Sequence, residues 1–363
     1  MTVLVLNVGS TTLKYACFDS EASERIASGV VDRIGEPNSA TCDHAAAAEQ
    51  ALAAVADFQP EAIGHRIVHG GARFHEPTRV TPQVLEELKA LDTLAPLHNP
   101  PARRVVESLT HLATPQTLVF DTAYYGTLPE VAHRYALPES LLRDHGVRRY
   151  GFHGTSHQYV TEQVLAMLDG DSSDKRVITL HLGGGASATA SVGGRAVDTS
   201  MGMTPLEGLV MATRSGDLDP AIPLHLMRVV GMSAEEVERC LNKQSGLTGI
   251  CGEGDMRAIL QRCDHGDASA QLAIDMYVRK LQKTIGGFIA ILGGLDALVF
   301  TGGVGEHAAP IRERVTDGLD HFGIAIDSDA NATNARDITA GLVRVLVVPT
   351  DEELAIARLV FAG

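Results

Sequence analysis

The chain has 363 residues, of which 45% are apolar, enough for about two domains with cores that need no disulfide support. A formal net charge of −15 excludes nucleic acid as a natural partner, because that binding rests on a basic surface that releases counterions. Five cysteines without a C-x-x-C pair point to a reducing, cytoplasmic compartment and away from a zinc site. An acidic chain can still bind a small anion by gathering arginines in one place, so arginine beside glycine is the pattern that matters.

The first element predicted is a strand, VLVLN, in a start that carries no basic segment or cleavage site, so no signal peptide is expected. Arg66 follows in HRIVHGG, read as a strand running into a glycine turn. In RRYGFHGTSH, His153 and His157 stand about one helical turn apart, with Thr155 and Ser156 placed to cap. The run RVITLHLGGGASATASVGG reads as a buried strand, a triple-glycine turn and a second strand closed by Gly193-Gly194. Glycine weakens regular elements by roughly 0.5–1 kcal/mol, so its clustering suggests a backbone that must approach something closely, most often phosphate. Arg214 lies in ATRSGDLDP, where Asp219 is a fair N-cap with Pro220 at the first helical position. Ser233 and Glu236 spell a capping box, and Arg257 sits in the turn EGDMR.

A long helix is predicted from about Ser269, with a bend at Gly286-Gly287. The apolar run 284–300 is short for a membrane span and contains Asp296, so it reads as helix and then strand. LVFTGGVGEH is a third glycine-ended strand, and LVRVLVVP a further buried one. In VVPTDEELAIARLV, Thr350 and Glu353 are expected to form a capping box, which leaves Glu352 free to face a cation. Strands alternating with helices give an α/β class. The segment from Val3 echoes the one from Val177, with Asn7 matching His181 and Gly9 matching Gly183. Two duplicated halves are therefore expected, divided near 148–152.

Several motifs are absent or weak. There is no G-x-x-x-x-G-K-[ST], which excludes a P-loop. Gly183-x-Gly185 and Gly303-x-Gly305 each fit part of a dinucleotide fingerprint, and the second leads toward a helix. No H-E-x-x-H spacing is present, so Mg²⁺, which takes few protein oxygens, suits the chain better than a histidine-bound metal. Any one of the three arginines could be an ordinary surface charge, but all three stand beside glycine-rich turns, and a guanidinium fork suits carboxylate and phosphate oxygens.

The stretches VLVLNVGSTTLK, GHRIVHGG, LAPLHNPP, FDTAYYGTLP, RRYGFHGTSH, HLGGGAS, DTSMGMTPLEGLVMATRSGDLDP, SGLTGI, FTGGVGEH and PTDEELAIAR resemble the acetate kinase family, in that family's order along nearly the whole chain. The resemblance implies two duplicated actin-like, ribonuclease H-like α/β domains around a central cleft. The first would be the acyl-substrate domain, 1–150 joined by a C-terminal helix at about 351–363; the second would be the nucleotide-binding domain, 151–350. It also implies a cytoplasmic homodimer that moves a phosphoryl group between ATP and acetate, giving acetyl phosphate and ADP, with Mg²⁺ or in its place Mn²⁺. On this resemblance Asn7 and Glu352 would hold the metal. Arg66 and Arg214 would grip the carboxylate and the moving phosphoryl, His153 would stabilise the transition state, and Asp121 would be the essential acidic residue. His181, Leu182, Gly183, Gly184 and Gly185, then Asp255, Met256 and Arg257, then Gly303, Val304, Gly305, Glu306 and His307 would contact the nucleotide. Val68, Leu97, Phe152 and Pro205 would line the acyl pocket.

A carboxylate nucleophile has a pKa near ~4 and is already ionised at neutral pH, so no general base is needed. Asp121 is accordingly read as a positioner, for example of an arginine. Val68 matches the acetate-preferring form, so acetate is expected over propionate. Gly184 and His307 stand where the family usually has Asn, which makes pyrophosphate an alternative donor to ATP. Propionate or butyrate kinase is an alternative activity. A dinucleotide-dependent oxidoreductase built on Gly303-x-Gly305 and a non-catalytic sugar-kinase-like or actin-like binding module are readings from other classes.

Overall fold

The computed structural model describes residues 2–9, 11–19, 24–36, 39, 41–96 and 98–363. The chain divides into two compact units. The first holds residues 1–126, 152–159 and 351–363, and the second holds 127–151 and 160–350.

The first unit is built on a six-stranded sheet of order β3-β2-β1-β4-β6-β5. Its strands are β1 Val3–Val8, β2 Leu13–Phe18, β3 Arg25–Val31, β4 Ala62–Ile67, β5 Thr78–Arg79 and β6 Gln116–Phe120. β1 is buried along its whole length, which explains its unbroken apolar run. Side chains alternate between faces with a period of two. Leu4 and Leu6 therefore join a core with Ala47, Ala51, Val105 and Val106, from the helices His44–Ala54 and Asn99–Ser108. Val3 and Val5 face the other way, onto Ile356, Ala357 and Val360 of the C-terminal helix Glu352–Ala362. β1 pairs antiparallel with β2 but parallel with β4, and β4 pairs parallel with β6. The C-terminal ends of β1, β4 and β6 thus emerge together.

The second unit has a five-stranded sheet of order β11-β10-β7-β8-β9. These strands are β7 Arg176–Leu182, β8 Ala186–Val192, β9 Arg195–Thr199, β10 Ala297–Thr301 and β11 Arg344–Val347. Read from the other edge, its order repeats β3-β2-β1-β4-β6: an antiparallel pair of hairpins, then two parallel neighbours. The echo between Val3 and Val177 is therefore structural. Asn7 pairs with Lys14 across the first hairpin, as His181 pairs with Ser187 across the second. The α/β class expected from the sequence is the one observed.

Several local expectations need correction. The segment RRYGF is not a single divide. Tyr150 and Gly151 donate backbone N–H groups to the Gly202 carbonyl, and Arg149 Nη1 reaches the carbonyls of Thr199, Ser200 and Met201. Residues 127–151 consequently pack with the second unit, and 152–159 with the first. The long helix Ala268–Leu292 is continuous through Gly286 and Gly287, and neither glycine takes a positive φ. Asp219 caps its helix as expected, accepting from Ala221 N–H at 2.8 Å with Pro220 already in a helical conformation, and a π-helical turn, Leu226–Val230, follows the helix Ala221–His225. The box of Ser233 and Glu236 forms as expected. That of Thr350 and Glu353 does not: Asp351 caps the last helix by accepting from Leu354 N–H, and Glu353 is turned to other partners. Among the described residues no helix is long and apolar enough to cross a membrane.

Candidate functional site

In open α/β sheets, ligands bind beyond the carboxyl ends of the parallel strands. In the first unit Asn7 lies near the end of β1 and Arg66 near the end of β4, while Asp121 directly follows β6. The Asp121 N–H donates to the Ile67 carbonyl at 2.9 Å, which extends the sheet ladder and brings the aspartate beside Arg66. Arg66 then donates through Nε to Asp121 Oδ1 at 2.9 Å and through Nη2 to Oδ2 at 2.7 Å. This is a two-pronged arginine–carboxylate pair, the strongest and most directional kind. The third nitrogen, Nη1, donates to Asn7 Oδ1 at 3.0 Å and lies 3.2 Å from Glu352 Oε2. Asn7 Nδ2 donates in turn to Glu353 Oε1 at 2.8 Å and to Glu352 Oε2 at 3.3 Å.

Four residues named from the sequence, Asn7, Arg66, Asp121 and Glu352, are therefore one hydrogen-bonded group. Burial opposes the charge on Arg66, but Asp121 and Glu352, followed by the Asp121 hydrogen bonds and Glu353, outweigh it and hold the guanidinium above its ordinary pKa. Arg66 stays a cation at any working pH, with its plane fixed by three partners.

His153 stands in the same unit with φ +57, a left-handed conformation that costs a non-glycine residue about 1 kcal/mol. Next to it, a Cβ on Gly154 would lie 1.9 Å from the Asp121 carbonyl oxygen, so only glycine fits there. Thr155 Oγ1 donates to Asp121 Oδ1 at 3.0 Å. The acyl-pocket candidates divide. Phe152 is buried, and its ring meets His69 edge-on at 5.4 Å, with His69 adjacent to Val68. Leu97 lies outside the described residues. Pro205 belongs to the second unit, where its carbonyl accepts from Arg214 Nη1 at 3.0 Å. Arg214 has its pKa lowered by burial.

The second unit carries the glycine-rich candidates. Gly183 N–H donates to the Gly185 carbonyl at 2.9 Å, closing the turn between β7 and β8, and the Gly184 carbonyl accepts from Ala212 N–H at 3.1 Å. Because Thr301 pairs with His181 across β10 and β7, the helix Gly302–His307 begins beside that turn. A Cβ on Gly302 would sit 2.8 Å from the Leu182 carbonyl oxygen. Gly184 and Gly303 have no heavy atom within 4 Å of the space a Cβ would fill, so bare backbone faces open space at both. Gly303 and Gly305 lie inside that short helix rather than in a strand-to-helix turn, unlike a dinucleotide fingerprint. Leu182 and Met256 are buried and offer a ligand only their backbone. Asp255 caps the helix Met256–Asp264 and pairs with Arg257, whose side chain is largely exposed. Glu306 Oε1 accepts from the N–H groups of Gly302 at 2.9 Å and Thr350 at 3.3 Å.

Three features escaped the sequence reading. Glu353 joins Asn7, a role masked by the capping box its spacing suggested. Thr155 was read as a helix cap. Arg312 carried no signal, yet it is wholly buried and donates to the carbonyls of Gly305, Glu306 and Asn331 and to the side chains of Asn331 and Asn334. It fixes the end of the helix that carries Gly303 to His307.

Mg²⁺ prefers hard oxygen ligands and keeps water and phosphate in its shell. The amide oxygen of Asn7 and the carboxylates of Glu352 and Glu353 are oxygens of that type; here Asn7 Oδ1 and Glu352 Oε2 both lie against Arg66 Nη1, and Asn7 Nδ2 faces the two carboxylates.

A sequence model of the Acetokinase family matches residues 2–358. Acetate kinase of Streptomyces griseus is 49% identical, with 99% of this chain and 95% of that protein covered. The crystal structure of Porphyromonas gingivalis acetate kinase superposes with a TM-score of 0.92 at 38% identity, covering 100% of both chains. A propionate kinase from Francisella tularensis gives a TM-score of 0.93 at 38% identity, over 99% of this chain and 98% of that one. On a match that leaves out only the chain's ends, and on its superposition over the full length of a solved member, the chain belongs to the acetokinase family of kinases that phosphorylate a carboxyl group.

Proposed function

We propose that this chain catalyses reversible phosphoryl transfer between ATP and acetate, giving acetyl phosphate and ADP. The observation that carries the reading is Arg66, held by both oxygens of a buried aspartate and by Asn7. In this reading a carboxylate oxygen of acetate attacks the γ-phosphorus in line, the bond to the bridging oxygen breaks, and ADP leaves. No proton needs to move at neutral pH, because the nucleophile is already ionised.

Such a reaction depends on alignment and on neutralising the oxygens around phosphorus. Arg66 holds the carboxylate, while His153 and Arg214 act on the transferring group. Asp121 orients Arg66 and takes no proton. Asn7 and Glu352, with Glu353 beside them, would hold Mg²⁺, which when bound supplies charge neutralisation at the phosphate oxygens. The first unit is read as the acyl side and the second as the nucleotide side. The open backbone at Gly184 and Gly303 supports nucleotide phosphates there, with Asp255 to Arg257 and Val304 to His307 around them.

A cytoplasmic homodimer belongs to the same reading. It is supported by exposed apolar side chains on the π-helical turn, where Val229 is 70% and Val230 59% exposed. Light scattering on the purified chain checks it, with twice the monomer mass expected.

Hydroxylamine trapping tests the activity. With ATP, acetate and Mg²⁺, acyl hydroxamate should accumulate in step with ADP. ADP without hydroxamate, or neither product, would overturn the reading. The propionate kinase among the similar structures makes the acid a second arm. Acetate is expected to give the higher kcat/KM, and since one methylene in an apolar pocket is worth about 1–3 kcal/mol, the preference should be tenfold or somewhat more. Replacing ATP by pyrophosphate forms the third arm, motivated by the missing side chain at Gly184; ATP is expected to be the better donor.

A further inference from the structure

We propose that Thr155 is a positioning residue for the transfer: its hydroxyl ties the carboxylate that orients Arg66 to the turn that presents His153. This inference rests on the phosphoryl-transfer reading above.

Thr155 is 4% and Asp121 1% exposed, and their side chains meet at 3.0 Å. The acceptor, Asp121 Oδ1, is the same oxygen that receives Arg66 Nε at 2.9 Å. Each of the two donors therefore limits how the carboxylate can turn. If the hydroxyl is removed, Oδ1 keeps one donor in a place where water does not readily replace the other. The carboxylate can then rotate, and the Arg66 fork tilts with it. The β-branched threonine side chain is stiff at χ1, so its hydroxyl is held in one direction.

The tie reaches His153 through the backbone. Gly154, between His153 and Thr155, packs its Cα against the Asp121 carbonyl, with no room for a side chain. His153, one residue earlier, sits in a left-handed conformation that needs its surroundings to hold it. Backbone contact at Gly154 and the hydroxyl bond at Thr155 fix this turn to Asp121 at two points. A shift of the turn would move the imidazole and the guanidinium together.

A threonine that merely stabilised the helix Gly154–Leu165 would alter unfolding and leave turnover alone. The test compares Thr155→Val, which keeps the shape and loses the hydroxyl, with Thr155→Ser, which keeps the hydroxyl. Both are made in the full chain and assayed with ATP, acetate and Mg²⁺ by hydroxamate and ADP formation. The valine variant should lose about 10–100-fold in kcat, the worth of a hydrogen bond to a charged group. Its KM for ATP should stay within about twofold, since the change lies on the acyl side. The serine variant should stay within about threefold of the parent, and Thr155→Val should add nothing to Asp121→Asn in the double variant. Parent-like kcat in Thr155→Val, no rescue by serine, or multiplying effects in the double variant would overturn the proposal. Should the valine chain not fold, Thr155→Ala takes its place with the same criteria. If the parent chain makes no acyl phosphate, the functional reading fails on its own. The tie is then read from the Arg66 Nε–H resonance, assigned through Arg66→Lys. That resonance should move in Thr155→Val and not in Thr155→Ser; an unmoved signal would overturn the proposal.

Discussion

Arg66 is a partly buried cation whose orientation is set by partners far from it in sequence. Asp121 supplies two of its hydrogen bonds and Asn7 a third. Asp121→Asn keeps the shape and removes the charge. It should lower kcat by about 100-fold, the usual penalty for a slight misplacement of a reacting group. Near-parent turnover would show that the charge is idle. His65, adjacent in β4, gives a prediction about stability. Burial, partly offset by a hydrogen bond to Gln116, lowers its pKa to about 4. The fold therefore holds it neutral, while the unfolded chain protonates it below about 6.5. Between those values the unfolded state binds the extra proton, so stability is complete above pH 6.5 and falls as pH drops toward 4. The loss is on the order of 3 kcal/mol. Urea unfolding from pH 7 to pH 4 checks it, and His65→Gln should flatten the slope. At this scale the family resemblance named Asn7, Arg66, Asp121 and Glu352, and hydrogen bonds and an ion pair join those four. Glu353 was hidden, since one spacing served two readings.

At the scale of elements, the strands were the most legible part. Runs buried on both faces, such as VLVLN and RVITLHL, have no polar alternation to blur them. Helix starts were less so. Asp219 and Thr350 both look like caps; Asp219 does accept from Ala221 N–H, but the last helix is capped one residue beyond Thr350, by Asp351. Least legible was Arg312, whose acceptors at Asn331 and Asn334 come from a later segment. It braces the end of the helix Gly302–His307 with no carboxylate partner among the described residues, and burial lowers its pKa. Arg312→Met leaves several buried carbonyls without donors. It should destabilise the fold by about 3 kcal/mol and raise the KM for ATP while that for acetate changes little. Equal effects on both KM values would mean that the brace does not act through the nucleotide side.

For the whole molecule, the duplication was visible as a faint echo at Val3 and Val177, and the two sheets repeat one strand order. That 127–151 belongs with the second unit and 152–159 with the first was not visible, because it depends on hydrogen bonds such as Tyr150 to Gly202 that link distant residues. The account of the whole protein predicts that an oxygen of the acid becomes the bridge to phosphorus. Acetate labelled with oxygen-18 at both positions measures this most directly. After reaction with ATP, hydroxylamine attacks the acyl carbon, the carbon–oxygen bond breaks, and the released phosphate keeps the bridging atom. Mass spectrometry should find one heavy oxygen in each phosphate released; unlabelled phosphate would contradict direct attack by the carboxylate.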